Sequence, residues 1–106
     1  MRFLTMHLTM KEGIKELPIE FTGRGEVRGL QFRQLMKGNH TLLYDVTYDG
    51  ITNHEVFEIR ICLTPITKES YVGYPKANSF GVWARTYRNY EKAVEQFKYF
   101  ENHERF

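Results

Sequence analysis

The stretch Ser79-Phe80-Gly81-Val82-Trp83-Ala84-Arg85-Thr86-Tyr87-Arg88-Asn89-Tyr90-Glu91-Lys92-Ala93-Val94-Glu95-Gln96-Phe97-Lys98-Tyr99-Phe100 changes its period half-way along. Over residues 80–87, alternation separates Phe80, Val82, Ala84 and Thr86 from Trp83, Arg85 and Tyr87, as the two faces of a strand would. From Asn89 onward, Tyr90, Ala93, Val94, Phe97 and Phe100 recur at helical spacing. Asn89 suits the N-cap, and Glu91 places a carboxylate in the first turn, where backbone donors lack partners. A strand therefore runs almost directly into an amphipathic helix, which must fold back to bury its apolar stripe. If the small side chains of Val82 and Ala84 face that helix, Trp83, Arg85 and Tyr87 point to the other side.

Working back from this unit, residues 41–48 and 54–63 also alternate. The first segment puts Leu42, Tyr44, Val46 and Tyr48 on one side. The second puts Phe57, Ile59, Ile61 and Leu63 on one side and Val56, Glu58, Arg60 and Cys62 on the other. Asp49-Gly50 after the first segment is a strong turn signal. Lys37-Gly38-Asn39-His40 closes an earlier hairpin, because Gly and Asn accept the backbone angles such turns demand. Residues 26–35 read as its first strand, with Gly29 marking a bulge or a close backbone approach, and 18–21 as a short edge strand headed by a proline that cannot donate to a ladder. A proline-bearing connection covers 64–78, with a short strand at 70–74. Residues 11–17 offer one helical turn, weakened by Gly13 and stopped by Pro18.

These segments predict an α+β fold. A mostly antiparallel sheet of four to six short strands carries one C-terminal helix on one face. Residues 18–106 are expected to form a single domain, and residues 1–17 a poorly ordered N-terminal segment. On this reading the sheet face opposite the helix is open.

Composition narrows the function classes. A net charge of +2 is too small to imply nucleic acid, although Arg24, Arg28 and Arg33 meet only Glu26 in their stretch. One cysteine excludes an intramolecular disulfide and fits a reducing compartment. No apolar run approaches the ~20 residues of a membrane span, and no signal peptide is evident, so a cytoplasmic protein without membrane attachment is expected. His40, His54 and Cys62 lack a recognised metal-ligand spacing, and no cofactor fingerprint occurs. No metal or cofactor is expected, and Cys62 reads as a buried, inert thiol.

The chemistry that remains is recognition. Trp83, Arg85, Tyr87, Arg60 and Arg33 are the candidate contact residues, on the helix-free sheet face. They suit a non-enzymatic binding module whose partner is another protein or a second copy of the chain. Aromatic faces stack on bases and arginines pair with phosphates, so single-stranded nucleic acid is an alternative partner.

A third reading starts from Gly25-Glu26-Val27-Arg28-Gly29-Leu30-Gln31-Phe32-Arg33, which resembles the acylphosphatase signature. The resemblance implies a hydrolase in which loop amides cradle a phosphate and Arg33 binds it. It covers about a tenth of the chain. Lys37-Gly38-Asn39 leaves no room for the helix that follows the family's loop, and residues 41–48 contain no asparagine to position the attacking water. The chain also ends on a helix where the family ends on a strand.

Overall fold

The computed structural model describes residues 13–102. It is an α+β protein, with mostly antiparallel sheets of five and three strands and one C-terminal helix. The strands are β1 (Ile14–Lys15), β2 (Glu20–Thr22), β3 (Gln31–Lys37), β4 (Thr41–Tyr48), β5 (Ile51–Glu58), β6 (Ile61–Leu63), β7 (Ser70–Val72) and β8 (Ala84–Tyr87). The helix, α1, is Tyr90–Asn102. Two compact units result: residues 13–17 with 60–74, and residues 18–59 with 75–102.

The larger unit is the five-stranded sheet β2-β3-β4-β5-β8, antiparallel throughout, with α1. Its centre is the β4–β5 hairpin. Asp49 and Gly50 both take positive φ, 53° and 80°, the pairing a two-residue turn needs to match the twist of its strands. That turn sets the register, pairing Tyr48 with Ile51, Asp45 with His54 and Leu43 with Val56. Helix α1 begins as its cap residue dictates, with the Asn89 side-chain oxygen accepting the Lys92 N–H at 2.9 Å. Its stripe of Ala93, Phe97 and Phe100 then buries against Leu43 and Val56. Two buried phenylalanines contribute about 3–6 kcal/mol to this attachment. An irregularity between Gln34 and Met36 lets both Leu35 and Met36 pack on the same cluster.

The face opposite the helix is not open. It is an aromatic core in which Phe32, Leu42, Tyr44, Val46, Phe57 and Ala84 are all buried. Phe21 stacks on Phe32 with centroids 4.5 Å apart, and Tyr44 stacks on Phe57 at 5.8 Å. Tyr44 donates its hydroxyl to the Pro18 carbonyl at 2.7 Å and accepts from the Gln34 amide. Leu42-Leu43-Tyr44 and Val56-Phe57 explain this. Adjacent large apolar residues on a strand point to opposite faces, so both faces are buried there.

Several expectations are corrected. Residues 80–87 are not one strand: only Ala84–Tyr87 is extended. Gly81 takes φ of 94°, and the Val82 and Trp83 amides both donate to the Ser79 carbonyl, so residues 79–83 coil before the strand begins. Residues 54–63 divide after Glu58, and Ile61–Leu63 joins the other sheet. Residues 26–35 are a 3-10 turn, Gly25–Val27, followed by a later strand; the bulge is at 34–36, while Gly29 marks a close approach, a Cβ there lying 3.3 Å from the Tyr48 ring. Ile14 and Lys15 are a strand rather than part of a helical turn; the rest of the expected poorly ordered segment, residues 1–12, lies outside the described residues.

The smaller unit is the sheet β1-β7-β6. β1 runs parallel to β7, with Ile14 beside Ser70, and β6 runs antiparallel to β7, with Cys62 beside Tyr71. Cys62 is half-buried, and its sulfur closes the space a side chain on Gly73 would need.

Candidate functional site

Of the five sequence-predicted contact residues, the four in the larger unit do not form one patch. Trp83 lies in the coil before β8, half-buried, its carbonyl accepting the Glu58 N–H. Tyr87 packs against the helix cluster and donates to Gln96 Oε1 at 3.1 Å, so it belongs to the helix-bearing face. Arg85 pairs across the sheet with Val56 and shares that face. Arg60 is exposed and belongs to the smaller unit. Arg33 is on the helix-bearing face too, since its cross-strand partner Asp45 is in line with His54 and Tyr87. Three strand spacings, about 14 Å, separate Arg33 from Tyr87.

What the sheet assembles around Arg33 is polar. One cross-strand row runs Glu20, Arg33, Asp45, His54, Tyr87 through all five strands. The next runs Thr22, Gln31, Thr47, Thr52. Both lie on the face that α1 covers only in part. The helix reaches as far as the first row, where Tyr90 meets the His54 ring edge-on with centroids 5.5 Å apart. Beyond it Glu20, Arg33 and Asp45 of the first row and all four residues of the second line an open concavity of about 550 Å³.

Within the rows the side chains are largely paired. His54 Nδ1 lies 2.7 Å from Asp45 Oδ1. A carboxylate only accepts, so Nδ1 donates and the neutral ring carries its lone pair on Nε2. Thr22 donates to Gln31 at 3.1 Å, and the Thr47 and Thr52 hydroxyls bond each other at 2.9 Å. Arg33 differs. Its ion pair with Asp45 is long, 3.7 Å, and its side chain is 62% exposed. Such a pair is worth little, so most of the guanidinium's directional donors stay available.

An oriented imidazole is one component of acid–base chemistry. Hydrolysis would also need a nucleophile or a held water, and the threonine hydroxyls on this face are engaged with each other. The Gly25–Arg33 segment is no ready phosphate cradle. Its Val27, Arg28 and Leu30 amides donate to the carbonyls of Arg24, Gly25 and Val27, and the segment leads into β3. Four of the sheet's aromatic rings, Phe21 on Phe32 and Tyr44 on Phe57, stack on each other rather than standing as a platform for bases; Tyr48 is the exposed ring of β4. Among the described residues no three His, Cys, Asp or Glu side chains gather as metal ligands, and no helix is long and apolar enough to cross a membrane.

No family model, curated protein or solved structure matches this chain. The site therefore rests on geometry alone.

Proposed function

We propose that this chain is a binding module for a protein partner, which it engages through the uncovered polar half of its helix-bearing sheet face. One observation supports this reading above the others. Two four-residue rows of polar side chains, Glu20-Arg33-Asp45-His54 and Thr22-Gln31-Thr47-Thr52, stand beside the apolar cluster under α1, on a sheet whose opposite face buries Phe32, Leu42, Tyr44, Val46 and Phe57. A surface whose only task is solvation needs no Asp–His pair seated against an aromatic ring.

The first row presents negative, positive and negative groups at strand spacing, about 5 Å apart. The complementary partner carries the inverse pattern, with an acidic group facing Arg33 and basic or donor groups facing Glu20 and Asp45. Complementarity of this kind sets specificity and approach more than raw affinity.

The test compares partners retained from a lysate of the source cells by the parent chain, by Arg33→Glu/Thr47→Lys, and by Lys98→Glu on the exposed helix surface. A partner kept by the parent and by Lys98→Glu, and lost by the double variant, supports the site. Equal retention by all three removes it. Turnover of an acyl phosphate, abolished by Arg33→Ala, would establish the hydrolase instead.

A further inference from the structure

The smaller unit ends on an edge strand with unusual properties. β6 pairs with β7 on one side only; among the described residues no strand lies on its other side. The direction of its backbone groups follows from two hydrogen bonds. Gly73 N–H donates to the Arg60 carbonyl and Thr64 N–H to the Glu69 carbonyl, so residues 60, 62 and 64 bond inward to β7. Residues alternate along a strand, so Ile61 and Leu63 direct their N–H and C=O groups outward. Their side chains are exposed as well, at 51% and 58%, and Ile66 just beyond is 91% exposed. Proteins ordinarily guard such an edge with charge, proline or a covering segment.

We propose that β6 pairs antiparallel with β6 of a second copy, about a two-fold axis through Cys62. The register is decided by residues already described. An axis at Cys62 sets Ile61 opposite Leu63 of the second copy, twice, and all four outward N–H groups find outward carbonyls. An axis at Leu63 would set Ile61 opposite Pro65, which has no N–H to return. An axis at Ile61 would set Leu63 opposite Ile59, whose N–H already goes to the His40 carbonyl. Only the Cys62 register satisfies every outward N–H and C=O group of Ile61 and Leu63 in both copies, and it brings the four exposed aliphatic side chains together on one face. Three residues per copy bury far less than the ~1,200 Å² of a stable complex, so the dimer is weak and concentration-dependent. This edge shares no residue with the polar concavity.

The axis supplies its own reporter. Cys62 faces its counterpart in a non-hydrogen-bonded antiparallel pair, with Cα atoms about 4.5 Å apart, inside the range a disulfide spans. Diamide, which takes up the two thiol hydrogens, should convert the full chain to a Cys62–Cys62 dimer on a non-reducing gel, increasingly as concentration rises. Leu63→Pro removes only an outward N–H that β7 does not use, so it spares the fold and deletes two of the four bonds. It should weaken association measured by sedimentation by about thirtyfold, as two ordinary hydrogen bonds would, and suppress the cross-link. Ile61→Lys/Leu63→Lys, which sets like charges face to face, should do the same. A parent chain that stays monomeric at millimolar concentration, as it would if its own residues 1–12 filled the edge, overturns the proposal. So does equal cross-linking of parent and Leu63→Pro.

Discussion

Asp45 Oδ1 stands 2.7 Å from His54 Nδ1, on neighbouring strands and directly across the sheet from one another. With Nδ1 committed, the lone pair of the neutral ring sits on Nε2. Long-range proton–nitrogen correlation spectra should show His54 as the Nδ1–H tautomer at neutral pH. In Asp45→Ala the ring should move toward the Nε2–H form usual for unconstrained histidine. His54→Ala, which loses this bond and the Tyr90 edge contact, should cost about 1–2 kcal/mol in urea unfolding. A parent spectrum already showing the Nε2–H form would remove the oriented imidazole from the site.

Part of this pairing was legible in the chain. Asp49-Gly50 marks the turn, but reading the next strand from residue 54 left out 51–53, and it is the two-residue turn into Ile51 that fixes every pair behind it, Asp45 with His54 and Thr47 with Thr52 included. The helix and its Asn89 cap were equally readable, because capping and apolar spacing are local signals. The open face was not. Treating Leu42-Tyr44-Val46 as the apolar side overlooked Leu43, which with Val56 supplies the floor for the helix. The side opposite was therefore assigned to solvent when the aromatic rings bury it. The end of β5 was hidden for a different reason: residues 54–63 alternate without interruption, and nothing local marks the passage from one sheet to the other.

Glu101 lies in the last turn of α1, where a negative charge opposes the helix dipole. Its carboxylate is placed there to receive the backbone N–H groups of His40 at 2.9 Å and Asn39 at 2.5 Å, tying the helix end to the β3–β4 turn. Burial pushes its pKa up, but the His40 and Asn39 amides and the nearby His40 charge outweigh it, and the group stays below its ordinary value. A carboxyl whose pKa is lowered by folding stabilises the fold above its unfolded value, here 4.5, and loses that contribution as pH falls through the folded one. Glu101→Gln should therefore be less stable than the parent at pH 7, by about 1 kcal/mol given the partial exposure. The gap should narrow in urea titrations as pH falls below 4.5. A gap that widens on acidification would contradict the assignment.

Gly38 makes that contact physically possible. A Cβ at this position would overlap the Glu101 carboxylate. The long Glu101 side chain can swing away, so Gly38→Ala should leave the fold intact and break both hydrogen bonds, costing about 1 kcal/mol. In a Glu101→Ala background that overlap is gone, and the lost unfolded-state entropy should make the same substitution neutral or stabilising by about 0.5 kcal/mol. A double-mutant cycle with additive effects would show that the two positions act separately.

Tyr44 fixes the edge of the sheet to its centre. The ring is fully buried between Phe32 and Phe57, and its hydroxyl reaches over β3 to the Pro18 carbonyl, just ahead of β2. Tyr44→Phe keeps the ring packing and removes only that oxygen, leaving the Pro18 carbonyl and the Gln34 amide without their partner. The cost should be about 1–2 kcal/mol. Tyr44→Ala removes the ring as well and should cost about 3–5 kcal/mol. The two variants should also differ in where they loosen the chain. If the hydroxyl secures β2, hydrogen exchange in Tyr44→Phe should accelerate at Phe21 and at Gln34, whose N–H donates to the Ile19 carbonyl, while the β4–β5 pairs stay protected. Since Glu20 and Thr22 stand at the ends of the two polar rows, loosening β2 should also weaken any partner that Arg33 binds. Uniform acceleration across all five strands would mean that the hydroxyl supports the core as a whole and gives β2 no particular hold.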